Sequence, residues 1–207
     1  MKRMYNPDNP VIKFLTKLAD LSLLNLYWMI SCIPVVTIGA ATAALHNCII
    51  RSCEGPMQVT REFWNALRKN FKQGSLLFLV LTVLGAFMFF TLYLLLFVDL
   101  KLPYIFRMVL LIPHFVLLNS SMLVFPLQAQ FENGIWQTLK NALFMSLAHP
   151  YRTLIVTVIT LLPVIIVIVS PLIFLFASVI WLFIGFAGSA HINYLLLRPV
   201  FKKYMQK

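Results

Sequence analysis

The chain has 207 residues, 61% of them hydrophobic and only 11% charged, where an average soluble domain carries roughly 25% charged residues. Too little polar surface exists to cover a soluble fold of this size, which excludes a water-soluble enzyme or carrier and requires that most of the outside face lipid. The net charge of +11 would fit a nucleic-acid binder, but the basic residues gather at the ends of apolar runs rather than on one module, the pattern of a membrane protein whose cations meet an anionic lipid surface.

The opening stretch "MKRMYNPDNP" is polar and runs on into Lys13, Lys17 and Asp20, so no cleavable signal is expected. Asn9 and Pro10 read as a cap and a first-turn proline starting a helix over 10–32. The first uncharged run then extends from Leu21 to Ile50. As one helix of about 30 residues it would measure about 45 Å, and it would leave Lys2, Arg3, Lys13 and Lys17 on one side of the membrane with Arg51, Arg61, Arg68, Lys69 and Lys72 on the other.

A turn within "SCIPVVTIGAAT" removes that conflict. Pro34 has no N–H and drives Ile33 out of helical geometry, Thr37 is placed to cap a new helix, and Gly39 with the following alanines gives that helix a smooth face for close packing. With the break, all the basic residues except Lys101 and Arg107 fall on one side, the side the positive-inside rule makes cytoplasmic. The returning helix, 39–53, is about 22 Å long and spans fully or is re-entrant. Cys32, Cys48 and Cys53 form an odd set without CxxC spacing and read as reduced. The four scattered histidines supply no metal site, and no cofactor is expected.

Further along, Gln73–Val98 and Met108–Phe131 are uncharged runs long enough to span. Thr153–Leu197 is too long for one helix, and Ser170–Pro171 is the turn that divides it. The expectation is an all-α, polytopic membrane helix bundle of five to six membrane segments, at about 10–32, 39–53, 74–98, 105–130, 152–169 and 172–196. Turns near Pro34, Asp99–Pro103 and Pro171 would face outward. Both termini and two connections, 54–73 and 132–151, would be cytoplasmic.

Those two connections echo each other. "FWNALRK" at Phe63–Lys69 aligns with "IWQTLKN" at Ile135–Asn141, each after a glycine (Gly55, Gly134) and an acid (Glu54, Glu132). Both read as short amphipathic helices at the cytoplasmic surface, Trp64, Leu67 and Phe71 on one face and Trp136, Leu139 and Leu143 on the other's, with Arg68, Lys69, Lys72 and Lys140 placed to meet phosphates or a partner. "ENGIWQTLKNALFMSLAHP", with its acid, Gly134, Trp136 and closing Pro150, resembles the loop by which ATP-driven importers dock onto their ATPase subunits.

Polar residues at membrane depth are costly and often functional. Asn119, Ser120 and Ser121 lie midway along the third run, where a transporter places its substrate, and His191 lies near the basic end of the last. Asn25, His46, His114, Gln128, Gln130 and Asn193 are further candidates, and bridging between helices is the competing role for all of them. No Asp or Glu lies deep in a span, which argues against a proton- or sodium-coupled carrier. No GxSxG, HExxH or Walker lysine occurs, which argues against catalysis.

"NPDNPVIKFLTKLADLSLLNLYWMISCIPVVTIGAATAAL", Asn6–Leu45, followed by "FWNALRKNFKQG" to Gly74, resembles the YesL-like family of small bacterial integral membrane proteins, also described as domain of unknown function 624. That family has no established activity and lends no functional residues. Its members tend to accompany carbohydrate-uptake and polysaccharide-degrading systems, often beside ABC sugar-importer components. The resemblance therefore implies a bacterial cell membrane protein and, as partners, an importer's permease or ATPase subunits. A non-enzymatic accessory subunit of a carbohydrate importer is the leading expectation; a self-sufficient transporter or channel and a lipid-facing regulator are the alternatives.

Overall fold

The computed structural model describes residues 10–98, 103–131 and 133–205, and among these every regular element is helical. In chain order they are α1 (Pro10–Ser31), α2 (Ile38–Ser52), α3 (Val59–Phe97), α4 (Tyr104–Gln130), α5 (Ile135–Ala148), α6 (Pro150–Val169), α7 (Pro171–Ile180) and α8 (Phe186–Met205), with a π turn over Trp181–Gly185 joining the last two. Five stretches among the described residues are long and apolar enough to cross a membrane: Val35–Ser52, Val59–Phe97, Tyr104–Gln130, Pro150–Val169 and Ala177–Met205. α1 has 22 residues but carries Lys13, Lys17 and Asp20 in its first turns. The fold is an all-α, multi-pass membrane bundle.

The break predicted at Pro34 is present. α1 ends at Ser31, Pro34 is extended (φ −77°, ψ 117°), and a short 3-10 turn over Val35–Thr37 leads into α2. Thr37 does not cap α2 as expected. Its hydroxyl turns back to donate to the carbonyls of Ser31 and Pro34, because the 3-10 turn brings the orphan carbonyls at the end of α1 nearer than the free N–H groups of α2. The turn at Ser170–Pro171 is also where it was placed, with Ser170 extended and its Oγ accepting from the Ile173 N–H. Asn9, the turn residues Asp99–Leu102 and the terminal residues lie outside the described residues.

The connection 54–73 is not a separate surface helix. Val59–Phe97 is one helix of 39 residues, about 58 Å long, so the predicted segment 74–98 begins fifteen residues earlier. No proline interrupts it, and Gly74, which would weaken an exposed helix by about 1 kcal/mol, sits here at a close crossing. A Cβ on Gly74 would lie 2.7 Å from Ala40 Cα, and one on Gly39 would overlap the Gly74 carbonyl oxygen. The last predicted segment, 172–196, likewise continues through the π turn to Met205. The connection 132–151 does contain a separate short helix, α5, which Pro150 ends.

The small face of α2 puts that helix at the centre. Gly39, Ala40, Ala41, Ala43, Ala44 and Cys48 are buried, packed among Leu24 of α1, Leu77 of α3, Leu123 of α4 and Leu197 of α8. Gln73 donates to the Asn133 carbonyl at 2.6 Å, Phe131 meets Phe201 edge-on at 5.8 Å, and Arg51 at the end of α2 pairs with Glu62 near the start of α3.

Candidate functional site

A partly open cavity of about 360 Å³ lies among α1, α2, α3, α4, α6 and α8. Its shape begins with α1. Asn25 is fully buried and clamps the π turn: its amide nitrogen donates to the carbonyls of Trp181 (3.1 Å) and Leu182 (2.7 Å), and its oxygen accepts from the N–H groups of Phe186 and Ala187, both at 3.0 Å. A π turn leaves backbone groups without their ordinary helical partners, and in lipid each such group costs several kcal/mol; one side chain satisfies four of them.

The clamp fixes Phe186, whose ring stacks on Trp28 at 4.4 Å and meets Trp181 at 5.5 Å. Beyond it, Ser189 and Asn193 of α8 face the cavity together with Thr42 and His46 of α2, Thr82 of α3, Ser121 of α4 and Thr160 of α6. Trp28 Nε1 donates to Thr42 Oγ1 at 3.2 Å, and Asn193 Nδ2 donates to Thr160 Oγ1 at 2.9 Å. Ringed by aromatic and aliphatic side chains, these polar groups can hold a small molecule inside the membrane bundle.

Of the path predicted through Asn119–Ser121, only Ser121 reaches the cavity. Asn119 accepts from Thr157 Oγ1 at 2.9 Å and donates to the Phe115 carbonyl at 2.8 Å, while Ser120 meets Ser146 of α5 at 3.0 Å. These bonds join α4 to α6 and α5, as polar residues in membranes commonly do. His114 similarly meets Thr91 of α3 at 2.7 Å. His191 does not line the cavity; its Nδ1 lies 3.8 Å from Cys53 Sγ. The sequence carries one signal for this lining, single hydroxyls within several different apolar runs, which a cluster inside one run does not reveal.

The residues expected to dock a partner lie on α3 and α5. On α3, Trp64, Arg68, Phe71 and Lys72 are exposed along one side, and Trp64 rests against Tyr27 (6.2 Å) and Phe63 (5.8 Å). Leu67 faces the core instead. On α5, Gly134 precedes the first turn and accepts from Thr138 Oγ1 at 3.1 Å, Trp136 is 69% exposed, and Lys140 Nζ sits over its ring at 5.4 Å. The echo extends to burial. Phe63 and Ile135 pack on the core, Ala66 and Thr138 are buried, Leu67 and Leu139 lean inward, Trp64 and Trp136 face out, and Arg68 and Lys140 follow them. Gly74 and Ser146, which the same alignment pairs, each sit at a close helix crossing.

No curated protein and no solved structure matches the chain. Residues 21–92 match the model of the family described as "Protein of unknown function, DUF624", a segment that takes in the second half of α1, the Pro34 break, α2 and α3 up to its last turns. Over that segment the chain is similar to the DUF624 family, which its opening motifs also resemble.

Proposed function

We propose that this protein is a non-enzymatic accessory subunit of a carbohydrate ABC importer in the bacterial cell membrane, with its basic end in the cytoplasm and the outward sides of α3 and α5 docking onto a permease or ATPase subunit. The observation that carries the reading is the doubled surface. Two elements far apart in sequence present the same exposed Trp with a cation one turn on, over the same buried positions. Aromatic residues beside Arg or Lys at a surface are the composition of interface hot spots, and the cationic end suits a cytoplasmic face. The importer as partner comes from the company kept by the family that the chain resembles.

Co-purification from native membranes in mild detergent tests it. The importer subunits are expected to accompany the wild-type chain, and Trp64→Ala with Trp136→Ala is expected to weaken the complex by about 2 kcal/mol or more, the hot-spot range. Recovery of the protein alone, with the importer expressed, overturns the reading. The cavity among the helices favours a second one, a self-sufficient transporter or channel, which uptake by proteoliposomes holding only this chain would support.

A further inference from the structure

The cavity has a consistent hydrogen-bonding sense. Thr42, Thr82 and Thr160 each donate their one hydroxyl proton to the carbonyl four residues back, all at 2.8 Å. Ser121 and Ser189 donate to the carbonyl three residues back, at 2.7 and 2.9 Å. A hydroxyl has one proton and two lone pairs, so these five groups keep only acceptor capacity for anything inside the cavity. Asn193 repeats the pattern. Because the Thr160 proton is on the Val156 carbonyl, the group that meets Thr160 Oγ1 has to be the Asn193 amide nitrogen. Asn193 Oδ1 is then left buried without a hydrogen-bond partner, in a side chain only 4% exposed.

An amide oxygen at membrane depth without a donor is costly. The lining does little to relieve it: the Trp28 N–H is engaged by Thr42, and apart from His46 the remaining walls are hydroxyls already committed or apolar side chains such as Phe78, Phe125 and Phe186. Among the described residues no carboxylate lines the cavity, so nothing there would balance a cation. We propose that this cavity is a binding site for a small uncharged molecule that carries a hydrogen-bond donor on an apolar body, an alcohol or a primary amide, with the donor on Asn193 Oδ1 and the apolar body between Trp28, Phe125 and Phe186.

The probe is 2-phenylethanol, with its methyl ether as the partner that has the same apolar body and no donor. Equilibrium dialysis against lipid nanodiscs with and without the protein separates binding from partition into lipid. The alcohol is expected to bind roughly tenfold more tightly than the ether, the difference between a buried acceptor met and one left unmet, and Asn193→Leu is expected to abolish that preference while ether binding stays. Equal binding of the two by the wild-type protein overturns the proposal, as does a preference that survives Asn193→Leu. Ser121→Phe, which fills the cavity from α4, guards against a variant that fails to fold: it is expected to lower binding of both probes at least tenfold, and binding that persists unchanged places the site elsewhere and refutes the assignment.

Discussion

Two contacts between helices hold this bundle together by opposite means. Where α2 crosses α3, the side chains are missing: Gly39 and Gly74 let the two backbones approach until a single added Cβ would collide with main chain. Where α1 meets the π turn, a polar side chain is inserted, and Asn25 satisfies four backbone groups through one amide. Lipid offers helices no hydrophobic reason to associate, so shape and hydrogen bonding are the means that remain. The first contact depends on what is absent, and tolerates no atom; the second depends on one group of correct polarity, and tolerates no loss.

Asn25→Leu breaks the comparison hardest. The replacement is branched at the same carbon and somewhat larger, and it removes the partner of the Trp181 and Leu182 carbonyls of the π turn and of the first two N–H groups of α8, at about 1–3 kcal/mol for each group that cannot re-pair by relaxing. A loss of at least about 4 kcal/mol in unfolding free energy, or failure to accumulate in the membrane, is expected on that basis. Next comes Gly74→Ala. Crowding the α2–α3 crossing is expected to cost about 1–3 kcal/mol, read as a lower thermal midpoint in detergent.

The same substitution at Gly85 sharpens the point, because beyond its chain neighbours and the backbone of its own helix no described atom lies within 4 Å of where its Cβ would stand. There Gly85→Ala is expected to be neutral or to stabilise α3 by up to about 1 kcal/mol through helix propensity alone. If Gly74→Ala and Gly85→Ala behave alike, the close crossing is not what holds α2 to α3. The smallest effect is expected from Thr157→Val, which removes one bond between α6 and α4, the Thr157 hydroxyl to Asn119 at 2.9 Å. A cost near 0.6 kcal/mol, the average for such bonds in a membrane, would separate an ordinary polar bridge from the fourfold clamp at Asn25.

These two contacts also differ in how far the sequence announced them. Pro34, Gly39 and the alanines after it carry their geometry locally, so the break and the smooth face of α2 are readable from the residues themselves. The same holds for Ser170–Pro171. The continuity of α3 is not: hydropathy changes sharply between Lys72 and Leu76, but the backbone period does not change with it, and a change of surroundings was read as a change of element. The π turn leaves no mark in "WLFIG", since its partner is a side chain about 160 positions away. The candidate site follows the same division. Asn119–Ser121 was conspicuous because three polar residues adjoin, yet adjacent residues on a helix point in different directions, and two of the three face neighbouring helices. The cavity is assembled from single polar residues on separate helices, and no pattern within one run contains it.

The central claim is that Pro34 turns the chain back and gathers the basic ends of the helices on one side of the membrane. In a variant free of Cys32, Cys48 and Cys53, single cysteines at Thr60, Lys203 and Val35 decide it with a membrane-impermeant maleimide on intact cells. The account predicts that the cysteine at Val35 is labelled from outside and that those at Thr60 and Lys203 react only after the cells are opened. Labelling at Thr60 in intact cells, with Lys203 protected, would contradict it.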